Sequence, residues 1–183
     1  MTSPRVLLLP GWQNSGEAHW QTRWEQLHGC ERVQQDDWWW PRRGDWMIRL
    51  EEHLLADERP ALLVAHSLGC HLVTAWAAHS QHTARVAGAL LVAPPDLGRP
   101  DGPPQLHAWA PVHRQRLPFA STVVLSTNDP FSAADRSAAL AADWGSEVVT
   151  VGPAGHLNAD SGLLDWPEGW ALLQALQRRG GVA

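Results

Sequence analysis

Short apolar runs alternate with segments of helical spacing along almost the whole chain. The runs lie at residues 6–9, 61–64, 86–93, 122–125 and 148–151, with a shorter strand candidate at Val33. Helical spacing of apolar residues predicts helices over 16–28, 44–56, 68–79, 133–144 and 167–178. Continuous apolar runs of this length are typical of strands that are covered on both faces. The alternation therefore predicts an α/β fold, with about six parallel strands and helices on both faces of the sheet.

The length and the charge of the chain limit its number of domains and the kinds of partner it can bind. It has 183 residues, which suits a single domain over residues 1–183. Its formal net charge is −5, so we expect neither a nucleic-acid partner nor an anionic membrane surface, since both require a basic face. All 14 basic residues are arginines, which excludes a lysine Schiff base, pyridoxal chemistry and a P-loop lysine. We expect no cofactor.

The cysteines and the apolar segments indicate a compartment. Cys30 and Cys70 are too few for a disulfide framework and lie at no spacing typical of a metal site, so we expect reduced thiols and no metal. The apolar run that starts at Val6 is too short for a signal peptide, because Pro10 cuts it off. No stretch approaches about 18 apolar residues, so a membrane span is not expected. These features predict a cytoplasmic protein.

Residues 94–118 interrupt the alternation. They hold seven of the 14 prolines and show no long element. A loop of this length in a compact domain is usually functional. The large apolar residues Leu106, Trp109 and Phe119 favour a small cap that packs over the carboxyl edge of the sheet. A disordered surface excursion is the alternative.

The sharpest motif is Ala65-His66-Ser67-Leu68-Gly69, which joins a predicted strand to a predicted helix. Small residues stand two positions before and two positions after the serine. A strand-to-helix turn that pushes a serine side chain outward brings neighbouring backbones together, so only glycine or alanine fits at those positions. The motif predicts that Ser67 is a nucleophile. A serine that merely caps the helix is the alternative.

A serine nucleophile needs a base, and the base needs a carboxylate that orients it. His156 lies just past the last predicted strand, where Gly152 and Gly155 allow a turn back towards the sheet edge. Two carboxylates follow strands, Asp129 and Asp96. Asp129 follows the second strand after the nucleophile strand, which is the usual place of the acid in this order of elements. We expect Asp129, with Asp96 as the alternative.

The oxyanion of an acyl-transfer reaction needs two backbone N–H donors. The N–H of Leu68 is one candidate, because it lies at the start of the helix, where the helix dipole assists. The second comes from the loop after the first strand, where Trp12 is the expected donor and Gly11 the alternative. The residues expected to line the substrate pocket are Gly11, His66 and Trp109.

These motifs belong to a larger set of sequence blocks that runs nearly from end to end. The blocks are Pro10-Gly11-Trp12 with Asn14-Ser15, His19-Trp20-Gln21, Asp37-Trp38 with Pro41, Asp45-Trp46, Val64–Gly69, Asn128-Asp129-Pro130, and Ala154–Asn158 with Ser161-Gly162. With them the chain resembles the small serine hydrolases of the retinoblastoma-binding-protein-nine type, which include bacterial members. Several of the blocks are seldom seen outside that family.

The resemblance implies a single-domain α/β-hydrolase with the catalytic triad Ser67, Asp129 and His156. The expected reaction is the hydrolysis of small acyl esters through an acyl-enzyme, on a small-molecule substrate. An amidase, a peptidase or an acyltransferase with the same triad is the rival within enzymes. The rival from another class is a protein-binding homologue with a vestigial site. The resemblance implies no particular substrate, because the family's natural substrates are mostly undefined.

One property of the family does not carry over. Its retinoblastoma-binding signature is Leu-x-Cys-x-Glu, whereas Leu68-Gly69-Cys70-His71 is followed here by Leu72. The segment also lies in a predicted helix, where a partner cannot reach it without unfolding. The run Trp38-Trp39-Trp40 must be exposed in part, and a partner or dimer surface there stays open as an alternative.

Overall fold

The computed structural model describes residues 4–179. Its strands are β1 (Arg5–Leu9), β2 (Glu31–Arg32), β3 (Ala61–His66), β4 (Val86–Val92), β5 (Ser121–Ser126) and β6 (Glu147–Val151). Every neighbouring pair is parallel, and the strands lie in the order β2-β1-β3-β4-β5-β6. The predicted α/β fold with a six-stranded parallel sheet is therefore confirmed.

Helices cover both faces of the sheet, as predicted. They are α1 (Trp20–His28), α2 (Arg43–Leu55), α3 (Leu68–His79), α4 (Ala134–Trp144) and α5 (Pro167–Arg179). Side chains of α2, α3 and α4 share one core with one face of the sheet, whereas α1 and α5 share a second core with the other face. Between residues 4 and 179, no helix has both the length and the apolar character needed to cross a membrane.

Successive side chains of a central strand enter opposite cores. Leu7 and Leu9 of β1 lie in the first core with Trp46 of α2, while Leu8 lies in the second core with Trp20 of α1. All five side chains are at most 1% exposed. Because both faces are buried, the strand reads as a continuous apolar run rather than as an alternation.

Most element boundaries lie within two residues of the predicted ones, but the start of α1 does not, and the strand predicted at Val33 ends before that residue. β2 ends just before Val33, although the side chain of Val33 is buried and its N–H still donates to a carbonyl of β1. α1 begins at Trp20 rather than at residue 16, because His19 caps the helix: its Nδ1 accepts the N–H of Gln21 at 3.1 Å. A cap of this kind leaves no periodic signal, so spacing alone placed the helix start too early.

The proline-rich segment 94–118 packs onto the domain. It contains a short 3₁₀ helix, Pro104–Trp109, and otherwise irregular backbone. Trp109 is buried, and Leu106 and Phe119 are partly buried against the first core. These contacts hold the segment against the first core.

The tryptophan run is divided between the core and the surface. Trp38 packs against the first core, where its ring lies 5.3 Å from that of Trp46. Trp39 and Trp40 are 62% and 60% exposed, and the carboxylate of Asp37 accepts both of their backbone N–H groups. The exposed part of the run thus consists of two tryptophans held in a fixed turn.

The ends of β1 and β3 lie side by side at the point where the strand order reverses, which is where ligands bind in open α/β sheets. A Cβ added at Gly69, in the first turn of α3, would lie 2.2 Å from the carbonyl oxygen of Leu9. The side-chain amide of Gln21 donates to the carbonyls of Leu9 and Val64, at 3.3 and 3.1 Å. The close approach of the Leu9 carbonyl leaves room only for glycine at position 69.

We predict that Gly69→Ala lowers the free energy of unfolding by about 3 kcal/mol, because overpacking forces α3 away from β1. Gly44→Ala is the matched control, since nothing lies within 4 Å of a Cβ added at this position in α2. That change should be neutral or stabilise by about 0.5 kcal/mol. Urea unfolding of the two variants measures both effects, and equal midpoints would contradict the close approach.

His19, His66 and His71 are buried and neutral. Burial lowers the pKa of His19 to about 3 and the pKa of His71 to about 4, and it holds the pKa of His66 well below its usual value. His71 Nε2 donates to the carbonyl of Pro95 at 2.8 Å, whereas its Nδ1 has no partner within residues 4–179. A second proton on this ring would find no acceptor in the fold.

We predict that the free energy of unfolding falls as the pH is lowered from 7 to 5. In the unfolded chain these histidines are protonated below about pH 6.5, whereas in the folded chain they stay neutral. Each of the three therefore lowers the free energy of unfolding by up to about 1.4 kcal/mol for each pH unit below that value. Urea unfolding at pH 7, 6 and 5 measures the slope. His71→Gln, which keeps a donor for Pro95 and cannot be protonated, should flatten it. A stability that is constant over this range would show that these rings are not buried as neutral groups.

Candidate active site

Ser67 occupies the sharp turn between β3 and α3. Its backbone has φ 54° and ψ −122°, a conformation that costs energy for a residue with a side chain. The turn is held by two backbone bonds: the N–H of Ser67 donates to Val92, and the carbonyl of Ser67 accepts from Cys70. The strain directs the hydroxyl out of the sheet edge, where it lines a cavity.

The structure brings His156 and Asp129 to this hydroxyl. His156 Nε2 lies 2.8 Å from Ser67 Oγ, and His156 Nδ1 lies 3.0 and 2.9 Å from the two carboxylate oxygens of Asp129. A carboxylate only accepts, so Nδ1 carries the proton and Nε2 is free to accept one from the serine. The side chains of His156 and Asp129 are only 9% and 4% exposed, so little water competes for these bonds.

Asp96 is engaged elsewhere. Its Oδ1 accepts the N–H of Gly98 at 3.0 Å, and its Oδ2 accepts from Arg136 Nε at 3.2 Å. It borders the cavity but makes no hydrogen bond to His156. Of the two carboxylates left open by the sequence, the structure places Asp129 beside the imidazole.

The loop that carries His156 is held from below by two buried rings. His66 Nε2 donates to the carbonyl of His156 at 2.9 Å, and Trp20 Nε1 donates to the carbonyl of Leu157 at 2.8 Å. His66 and Trp20 are 5% and 1% exposed. Bonds buried this deeply are strong, and they restrict the position of the imidazole relative to β3 and α1.

The end of β5 and the loop that follows it also bond to the loop that carries His156. Asn128 Oδ1 accepts the N–H of Gly155 at 2.7 Å, and Ser126 Oγ accepts the N–H of Ala154 at 2.9 Å. Gly155 has φ 60°, which suits glycine and lets the chain turn just before His156. The carboxylate and the imidazole thus belong to two loops that are bonded to each other.

The loop after β1 crosses directly over Ser67. A Cβ added at Gly11 would lie 2.9 Å from the Cβ of Ser67 and 3.4 Å from the backbone nitrogen of Leu68. The backbone N–H groups of Leu68 and Trp12 make no hydrogen bond to other residues in the described part of the chain. Both predicted oxyanion donors therefore border the cavity with their N–H groups unused by the fold.

The cavity above Ser67 has a volume of about 500 Å³. The predicted pocket residues Gly11 and His66 line it, and Trp109 does not. Trp109 ends the 3₁₀ helix with its side chain turned into the first core, where it is 1% exposed and Nε1 donates to the carbonyl of Pro41 at 2.8 Å. This placement corrects the expectation that Trp109 lines the pocket.

Several lining residues were not predicted from the sequence. They include His19, Asn14, Leu97, Leu106, Phe131 and Asn158. His19, Asn14 and Asn158 stand in the blocks that carry the family resemblance, so that pattern held a usable signal. Phe131 had a weaker one, since it lies two residues after Asp129. The sequence pointed to Leu106 only as part of a cap over the sheet edge and did not mark Leu97, because the placement of both leucines depends on how the irregular segment folds.

Three imidazoles cluster beneath the cavity without forming a metal site. The ring centroid of His66 lies 4.7 Å from that of His19 and 4.9 Å from that of His156. His19 Nδ1 and His66 Nε2 bond to backbone groups, and the two nitrogens of His156 bond to Ser67 and Asp129, so these four atoms do not converge on one point. Within residues 4–179, no group of three or more histidine, cysteine or acidic side chains could hold a metal ion.

Known structures share this architecture. A YdeN-like hydrolase from Pectobacterium atrosepticum is 27% identical, with a TM-score of 0.86 over 97% of this chain and 92% of that chain. The ydeN gene product of B. subtilis is 20% identical, with a TM-score of 0.73 over 95% and 98% of the two chains. A thermophilic esterase from Thermogutta terrifontis is 18% identical, with a TM-score of 0.63 over 97% and 89%. No curated protein matches the chain.

A family model agrees with the structural likeness. The model described as serine hydrolase matches residues 6–175, which include every element from β1 to nearly the end of α5. The resemblance to small serine hydrolases that the sequence blocks indicated is confirmed. The chain belongs to the serine hydrolase family.

Proposed function

We propose that the protein hydrolyses small acyl esters through a Ser67–His156–Asp129 triad and an acyl-enzyme intermediate. The observation that carries this proposal is the continuous set of hydrogen bonds from Ser67 Oγ through His156 to Asp129, 2.8 to 3.0 Å long, at the floor of a cavity. A nucleophile within reach of a base that is oriented by a third group is the arrangement required for acyl transfer.

In the acylation step, Ser67 Oγ attacks the acyl carbon while its proton passes to His156 Nε2. The imidazolium that forms is stabilised by Asp129, whose carboxylate accepts from Nδ1. The negative charge on the former carbonyl oxygen is stabilised by the N–H groups of Leu68 and Trp12. The Leu68 donor lies at the N-terminus of α3, where the helix dipole adds to it.

The intermediate then collapses and the leaving group departs with the proton from His156. A water molecule takes the place of the leaving group, gives a proton to His156 and attacks the acyl carbon. The same two N–H donors stabilise the second oxyanion, after which Ser67 recovers its proton and the acid is released. His156 acts once as base and once as acid in each half-reaction.

Esters are favoured over amides as substrates, because an alcohol needs less protonation to leave than an amine. An esterase from Thermogutta terrifontis has a similar fold, which supports this choice. Amidase, peptidase or acyltransferase activity would use the same triad. Comparing the turnover of p-nitrophenyl acetate with that of p-nitroacetanilide distinguishes an esterase from an amidase or a peptidase.

We also propose a cytoplasmic location. Cys30 and Cys70 are free and buried. Burial raises the pKa of Cys30 to about 12 and raises the pKa of Cys70 further, so neither forms a thiolate readily. Unpaired thiols of this kind suit a reducing compartment.

We predict that a fluorophosphonate labels Ser67 at neutral pH and that Ser67→Ala abolishes the labelling. The reason is that only a serine activated by a base attacks phosphorus at a useful rate. Ser80→Ala is the control, because Ser80 bonds to Glu51 at the far end of α3 and should label as the wild type does. Mass spectrometry locates the adduct. A folded protein without an adduct would support the rival in which the site is vestigial.

We predict that Asp129→Asn lowers kcat on p-nitrophenyl acetate by about 10³- to 10⁴-fold. An asparagine amide can donate to Nδ1, which moves the imidazole proton to Nε2 and leaves no acceptor for the serine proton. Asp96→Asn should cost much less, since Asp96 bonds to Gly98 and Arg136 instead of to His156. Steady-state kinetics of the two variants test the assignment, and the reverse ranking would move the acid to Asp96.

A further inference from the structure

We propose that the cavity selects esters of neutral, bulky, apolar alcohols, which it binds between Phe131 and the segment 94–118. This inference rests on the proposed ester hydrolysis and adds the class of leaving group. It starts from a large apolar side chain that the fold leaves uncovered: Phe131 is 50% exposed and lines the cavity.

Phe131 is fixed directly beside the proton donor. Its ring centroid lies 4.6 Å from that of His156, with the two planes at 70°. Its backbone N–H donates to Asp129 Oδ1 at 2.9 Å, so the same carboxylate that orients the imidazole also orients the turn carrying the phenyl ring. The exposed side of the ring is therefore presented to whatever group approaches His156.

The segment 94–118 supplies a second apolar wall of the cavity. Pro95, Leu97 and Leu106 line the cavity, and both leucines rest on the first core. The wall is tied to the turn of Phe131 by two bonds: the N–H of Asp96 donates to the carbonyl of Phe131 at 2.9 Å, and Arg99 donates to the carbonyl of Pro130 at 2.5 Å. The apolar cleft between them is thus already formed in the free protein.

The chemistry of the triad decides which part of an ester enters this cleft. The leaving oxygen must come within hydrogen-bond reach of His156 Nε2 to receive its proton. The carbonyl oxygen faces the N–H groups of Leu68 and Trp12, and the acyl substituent is on the carbon attacked by Ser67. The substituent on the leaving oxygen therefore extends beside His156 and meets Phe131. Apolar and aromatic groups are the ones that gain from contact with such a ring.

Charge at the rim favours a neutral alcohol. The charged side chains that border the cavity near this cleft are Asp96, Arg99 and Asp101. Asp96 is paired with Arg136, and Arg99 is paired with Asp101. Both pairs are satisfied within the protein, so neither sign of charge on the alcohol would find a free counter-charge here.

Benzyl acetate and methyl acetate test the proposal, because the two alcohols have similar acidity and their esters share one acyl group. For the wild type we expect kcat/KM to be about tenfold or more higher for benzyl acetate. Phe131→Ala should reduce this benzyl-to-methyl ratio by about tenfold, mainly through KM, and Phe131→Leu by less. Leu27→Ala is the matched control, since Leu27 is 54% exposed on α1 and does not line the cavity; it should keep the wild-type ratio.

The outcomes separate this inference from the proposed function. Hydrolysis of both acetates without a preference for benzyl would overturn the inference and leave the esterase function intact. An equal loss on both esters in Phe131→Ala would also overturn it, because the ring would then act only by supporting His156. Failure to hydrolyse either ester, in a protein that a fluorophosphonate labels at Ser67, would overturn the proposed function and this inference with it. Circular dichroism of each variant checks that it is folded.

Discussion

The site depends on the contact between the end of β1 and the turn that carries Ser67. Gly69 has no Cβ, so the first turn of α3 can lie against the carbonyl of Leu9. Gly11 has none either, so the loop after β1 can cross Ser67 beside the N–H of Leu68. Without these two approaches the loop that carries Trp12 would not lie against the turn that carries the serine. The geometry of the candidate site therefore depends first on close packing between the ends of two neighbouring parallel strands.

The remaining parts of the site are joined to one another along the same edge of the sheet. Asn128 and Asp129 lie in the loop after β5 and bond to the loop after β6, where His156 is located. Phe131 and Asp96 then join the β5 loop to the segment after β4. Because these loops bond to each other, the carboxylate, the imidazole and one cavity wall form a single unit. A change in the segment 94–118 can reach the imidazole through this unit.

What the sequence could predict follows from the range of the interactions. Strands that are buried on both faces appear in the sequence as local apolar runs, and the turn at Ser67 requires small residues at fixed positions. Both features can therefore be predicted from the sequence. The usual order of elements favoured Asp129 over Asp96, but the distance of each carboxylate from His156 depends on where its loop ends in space. Trp109 shows the limit most clearly, because a tryptophan in an irregular segment can face the cavity or the core with the same sequence pattern. A hydrogen bond to the carbonyl of Pro41, 68 residues away in the sequence, holds its side chain in the core.

Of the three neighbouring imidazoles His19, His66 and His156, only His156 has surroundings that can stabilise a positive charge. In the proposed acylation step His156 becomes an imidazolium, and its partner Asp129 balances that charge. His66 lies next to His156 and His19 lies next to His66, and neither has a carboxylate partner within residues 4–179. Desolvation is the main cause that lowers the pKa of both, with smaller contributions from Arg32 and His156 at His19 and from His19 and His156 at His66, so both rings stay neutral in the proposed step. If His66 took up a proton, it would repel the imidazolium that the proposed reaction requires. The same burial that makes these rings costly for stability in acid thus directs the proton to the one histidine that faces Ser67.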